Sequence, residues 1–146
     1  MLHLRSRLLV ALLLLLPAAL AGCESTVEPP SDDTATAMGK YALVEANGFS
    51  VPVVLRDDYY GYLEVTGGWI ELRPDQSFTE EIGLSVRSEA TGLPQTATYR
   101  AEGTFTFTGT TIRLRTGEGV TATGLLSGDT LTHAVSRELL VSFKKE

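Results

Sequence analysis

Apolar and polar residues alternate with a period of two along nearly the whole chain from residue 39 onward. Phe78, Ile82, Leu84 and Val86 share one parity, against Thr79, Glu81, Ser85 and Arg87. The parity then reverses: Ala97, Tyr99, Ala101, Phe105 and Phe107 face one way, and Thr98, Arg100, Glu102, Thr104, Thr106 and Thr108 the other. Ile70 and Leu72, Ile112 and Leu114, Val120 and Ala122, and Leu139, Val141 and Phe143 continue the pattern. Successive side chains on a strand point to opposite faces, so this spacing predicts antiparallel sheet with one buried face. Short turns separate the runs. Pro74 in Arg73-Pro74-Asp75-Gln76-Ser77 suits the first central position of a turn, and Gly109 and Gly128 tolerate positive φ. Hairpin following hairpin predicts an all-β domain, a small antiparallel up-and-down β-barrel of about eight strands. Its inner face is expected to hold Ile70, Leu72, Phe78, Ile82, Leu84, Tyr99, Phe105, Phe107 and Leu114.

The pattern is different before residue 39. Arg5 and Arg7 precede an unbroken apolar run over residues 8–16, followed by Pro17 and small residues. A basic start, a short apolar core and a small-residue end make a secretory signal, and the run falls short of the roughly 20 residues of a membrane span. Leu20-Ala21-Gly22-Cys23 resembles the bacterial lipobox. The resemblance implies that residues 1–22 form a helical signal peptide cut before Cys23 and that Cys23 carries a diacylglycerol. Cys23 is the single cysteine of the chain, so no internal disulfide competes for its thiol. Residues 24–38 hold two prolines, four acids and one large aliphatic, Val27, before Met38. Such a stretch buries too little apolar surface to offset its ordering entropy, so residues 23–38 are expected to be a lipidated, disordered linker and residues 39–146 the barrel.

Charge narrows the partners. The chain has 12 basic and 18 acidic residues, and loss of Arg5 and Arg7 with the signal leaves a net charge of −8. Phosphate neutralisation needs clustered Lys and Arg, so nucleic acid is not an expected partner. His133 is the single histidine once His3 leaves with the signal. That excludes a multi-histidine metal site, and a Ser-His-Asp triad would have to use His133 alone. With no paired catalytic groups, no enzyme activity, metal or cofactor is expected.

A second resemblance covers most of the barrel. Gly39-Lys40-Tyr41-Ala42-Leu43, then Asn47-Gly48, then Leu72-Arg73-Pro74-Asp75-Gln76-Ser77-Phe78 is similar to the pattern of bacterial lipocalin-like lipoproteins. Gly103-Thr104-Phe105 and Gly128-Asp129-Thr130-Leu131-Thr132 resemble later steps of the same group. Gln76 stands where that group's turn has Gly, and Phe105 where Trp or Tyr is common.

Three features are candidates for chemistry. His133 shares parity with Leu131 and Val135, which places it inside or at the rim of the barrel. Glu80 shares parity with Phe78 and Ile82 and points inward unless a bulge intervenes, either toward a ligand or in an ion pair with Arg100. Tyr59, Tyr60 and Tyr62, beside Asp57 and Asp58, form either a contact patch or packing at one end. The expected ligand-binding residues are thus Tyr59, Tyr60, Tyr62, Glu80, Tyr99, Phe105, Phe107 and His133. The expected function is a lipid-anchored cell-envelope protein that binds a small apolar or amphipathic ligand. The alternative is a solid barrel that docks another envelope protein as an inhibitor or interaction module. In a Gram-negative cell, Glu24 after Cys23 directs such a lipoprotein to the periplasmic face of the outer membrane.

Overall fold

The alternating runs form ten strands: β1 (Gly39–Ala46), β2 (Phe49–Ser50), β3 (Val53–Asp58), β4 (Gly61–Leu72), β5 (Ser77–Arg87), β6 (Pro94–Thr108), β7 (Thr111–Thr116), β8 (Thr121–Ser127), β9 (Thr130–Ala134) and β10 (Leu140–Lys145). They are seen in a computed structural model that describes residues 36–58, 61–87, 92–119 and 121–146. Neighbours in sequence pair antiparallel from β3 through to β10. The ring closes at β1, which pairs with β10 on one side (Tyr41↔Lys145, Leu43↔Phe143) and with β4 on the other (Gly39↔Leu72, Tyr41↔Ile70). β1 and β4–β10 make a closed antiparallel eight-strand barrel. β2 and β3 extend it at one end, on β1 and β4 respectively.

Eight strands leave an interior just wide enough for side chains to fill it. Tyr41, Ile70, Leu72, Phe78, Ile82, Phe105, Ile112, Leu131, Val141 and Phe143 are buried there. Leu84, Tyr99 and Phe107, also expected inside, are partly buried against this core. β4 is longer than its sequence signal, which was clear only from Ile70: Gly67 and Gly68 lie within the strand, at a register shift between Val65 and Gly67. Gly103 on β6 leaves no room for a Cβ, which would strike the carbonyl oxygen of Arg115 across the ladder. Glycines of this kind let neighbouring backbones approach where a barrel bends.

The two ends differ. One end carries the tight turns at 73–76, 109–110 and 128–129. In the first, Gln76 adopts φ 63°, the left-handed conformation that a glycine would take without steric cost. Asp75 compensates by accepting from both the backbone N–H (3.0 Å) and the hydroxyl (2.6 Å) of Ser77, and these bonds hold its carboxyl below the usual range. Residues 36–38, the last three of the expected linker, pack against this same end. Ala37 is fully buried, its carbonyl accepts from the Tyr41 hydroxyl (2.6 Å), and Lys145 donates to Thr36 O (2.7 Å). The ordered chain therefore begins before Gly39, because a buried phenol needs an acceptor and Ala37 supplies it. The other end carries residues 117–119, the connection at 135–139 and the β2–β3 extension.

Burial, and next the charge of Asp129, push the Tyr41 phenol above its ordinary value. A raised folded-state value favours the neutral phenol in the fold. That stabilisation is complete below about pH 10 and is lost as pH rises through the raised value. Urea midpoints are therefore expected to fall as pH rises above about 10, and Tyr41→Phe is expected to flatten that fall while costing about 1 kcal/mol at neutral pH. Identical alkaline slopes for the two proteins would contradict this assignment. Tyr99 and Tyr62, whose phenols are also raised, contribute to the slope remaining in the variant.

Candidate functional site

Glu80 reaches the barrel interior because β5 runs without interruption. Its ladder with β6 is continuous from Ser77↔Thr104 to Arg87↔Pro94, and no bulge turns the strand over. Period two then aims Glu80 inward with Phe78 and Ile82, and Glu81 outward. The alternative of a bulge or a rim position at Glu80 is overturned: the residue is 1% exposed. The suggested ion pair with Arg100 is overturned as well. Arg100 lies one residue from the inward-facing Ala101, so it points outward, where it pairs with Glu102 at 2.5 Å.

The partner of Glu80 is His133. β9 carries it inward with Leu131, and its Nε2 lies 2.9 Å from Glu80 Oε1, with both side chains 2% exposed. The ring stacks nearly parallel on Phe143, centroid to centroid 5.8 Å and 8° between planes. Gly124, opposite His133 across the β8–β9 ladder, makes room for it: a Cβ there would lie 2.8 Å from His133 Cβ. The other ring nitrogen, Nδ1, is buried and has no hydrogen-bond partner among the described residues.

Beside this pair lies a cavity of about 30 Å³, lined by Glu80, Tyr99, Ala101, Thr116, His133 and Val135 among others. Tyr99, Ala101, Thr116 and Val135 also line an open groove of about 460 Å³, together with Arg100, Glu102, Gly117 and Glu118. The groove exists because β6 outruns β7. The β6–β7 ladder stops at Gly103↔Thr116, while the β5–β6 ladder continues nine residues further, to Pro94. The upper part of β6 is thus left open beside residues 117–119 and the 135–139 connection. Burial, and next the charge of Glu80, raise the Tyr99 phenol, so it stays a neutral hydroxyl at physiological pH.

Three of the expected site residues, Glu80, Tyr99 and His133, therefore meet at one cavity. Phe105 and Phe107 do not join them. Phe105 is buried at the tight-turn end, where its N–H donates to Gln76 O (2.8 Å), and it meets Phe107 edge to face at 6.5 Å. Tyr62 sits at the start of β4 on the outer face, donates to Glu64 (2.9 Å) and has the Arg87 guanidinium 5.9 Å from its ring. The hydrogen bond to Glu64 is the main reason its phenol is raised. Cys23, Tyr59 and Tyr60 lie outside the described residues. Sequence reasoning missed Ala101, Thr116 and Val135 as lining residues, since small and aliphatic types carry no chemical signal. It also missed the Glu80–His133 pairing, because 53 residues separate the two.

Removing one member of a buried pair strands the other's polar group, whereas replacing both with apolar residues removes the demand altogether. His133→Leu is expected to cost about 3–5 kcal/mol. Adding Glu80→Leu to it is expected to restore most of that loss. Chemical denaturation of the two single variants and the double variant checks this. Additive losses in the double variant would mean that the two residues are not energetically coupled.

A comparison with models of protein families finds no match, and neither the curated proteins nor the solved structures yield a relative, so the reading of this site rests on its own geometry.

Proposed function

We propose that this protein is a lipid-anchored envelope protein whose barrel binds a small amphipathic molecule at the open groove, with the ligand's polar tip reaching the Glu80–His133 cavity. The observation that carries the reading is the convergence of a buried acid–imidazole pair, an unpartnered ring nitrogen and a neutral tyrosine on one cavity adjoining an open groove. Packing alone does not call for such a pair, since a well-packed apolar core is usually as stable or more so. A cavity of about 30 Å³ is far below the roughly 300 Å³ of ordinary ligand pockets, so the cavity receives a tip and the groove the body.

Residues 36–38 and the groove lie at opposite ends of the barrel. The chain enters the barrel through residues 36–38 at the tight-turn end, and the groove lies among the connections at the other. Cys23→Ser is expected to abolish labelling by radioactive palmitate and to move the protein from the membrane fraction to the soluble fraction, or to leave an uncleaved precursor. Unchanged labelling and partition would reject the anchor.

The filled core favours a second reading. Tyr41, Phe78, Phe105 and Phe143 occupy the interior as a solid scaffold would, leaving the outer surface to dock another envelope protein. Titration of isotopically labelled protein with an organic extract of cell envelopes separates the two. Ligand binding is expected to shift the resonances of Tyr99, Thr116 and Val135. Shifts absent there, with changes confined to Tyr62 and its neighbours on adding envelope proteins, would favour docking.

A further inference from the structure

We infer that the cavity selects an uncharged hydrogen-bond acceptor, an amide or ester carbonyl oxygen, which accepts from Nδ1–H of His133. The inference rests on the groove being a binding site, and it follows from where the protons of the buried pair must lie. An uncompensated charge is costly to hold at 2% exposure, so the pair is stable as a net-neutral unit. Net neutrality places one proton along the 2.9 Å line between Nε2 and Oε1. Whether that proton sits nearer the nitrogen or the oxygen, the second proton of the unit remains on Nδ1. Nδ1 is therefore a donor in both arrangements, and among the described residues it is the buried side-chain atom that finds no partner.

Charge at the opening selects among acceptors. Glu118 lines the groove beside the Arg100–Glu102 pair, whose charges cancel, so the charged side chains at the opening sum to a net negative charge. A carboxylate or phosphate would meet this negative potential, while a cation has no acceptor to offer Nδ1. Size agrees with a carbonyl. About 30 Å³ admits roughly one or two water-sized groups, enough for an oxygen and the carbon that bears it. Tyr99, at the boundary between cavity and groove, keeps a neutral hydroxyl that serves as a second donor to the same tip.

The test uses the full-length protein, uniformly ¹⁵N-labelled and held in detergent micelles, with acetamide, acetate and methylammonium as probes. His133 is expected to show a protonated Nδ1 before any probe is added. Acetamide is expected to shift that N–H together with the resonances of Tyr99 and Val135. Acetate and methylammonium are expected to bind at least about tenfold more weakly. The double variant Glu80→Leu, His133→Leu is expected to lose the preference for acetamide.

An unprotonated Nδ1, or stronger binding of methylammonium or acetate, overturns the inference and leaves the groove as a binding site of different selectivity. Shifts at Tyr99 and Val135 with an unmoved Nδ1–H overturn it in the same way. No response at Tyr99, Thr116 or Val135 to any probe or to the envelope extract overturns the binding site itself. The tautomer measurement needs no variant, so it stands even if the double variant fails to fold.

Discussion

The pairing of β1 with both β10 and β4 is the constraint on which the rest of this structure depends. It turns a meander of hairpins into a ring with a definite inside, and at eight strands that inside is only as wide as the side chains that fill it. Every inward position is then committed to close packing, which is why Tyr41, Phe78, Phe105 and Phe143 are buried together. Closure also leaves Glu80 no alternative: once β5 is in register on both sides, the carboxyl must enter the interior and find a partner there. His133 on β9 is that partner. The bond between them joins strands that are not neighbours in the sheet order.

Strand lengths, by contrast, give the barrel its polarity. At the end where the tight turns gather, β4–β5, β6–β7 and β8–β9 all close within a few residues, and residues 36–38 seat against them. At the other end β3 to β6 continue beyond the point where β7 stops, so the wall is uneven and a groove opens along β6. The same unevenness brings Tyr99 to the boundary between the packed interior and solvent. The site is therefore a consequence of strand mismatch, built from an edge left open and a polar pair just beneath it.

The outer surface follows a different rule. Its charges are mostly matched locally, as in Arg56–Glu138, Arg73–Glu71, Arg87–Asp57 and Arg100–Glu102, all substantially exposed. Such pairs contribute little to stability in water. The contrast with Glu80 and His133 is one of environment: an exposed ion pair is optional, whereas a buried one must be satisfied or it destabilises the fold.

How much of this was legible in the chain depends on the range of the interaction. Period-two alternation is a local property, so the strands, their inward parities and the antiparallel barrel could be read from Phe78, Ile82, Ala97, Phe105 and Leu114 without any coordinates. Turn chemistry was also local, and the odd residue at position 76 was visible as a departure before its φ of 63° was known. The strand containing Gly67 and Gly68 was read too short, because glycines interrupt the pattern where the backbone bends. The inward aim of Glu80 and His133 was legible as parity, but their contact was not, since a 53-residue separation is bridged only by closure of the ring. The groove was invisible for a related reason: it arises from the unequal lengths of β6 and β7, and from residues such as Ala101 and Val135 whose types carry no signal. Local periodicity thus determined by itself which residues are inside, and only the closed tertiary structure decided which of them meet.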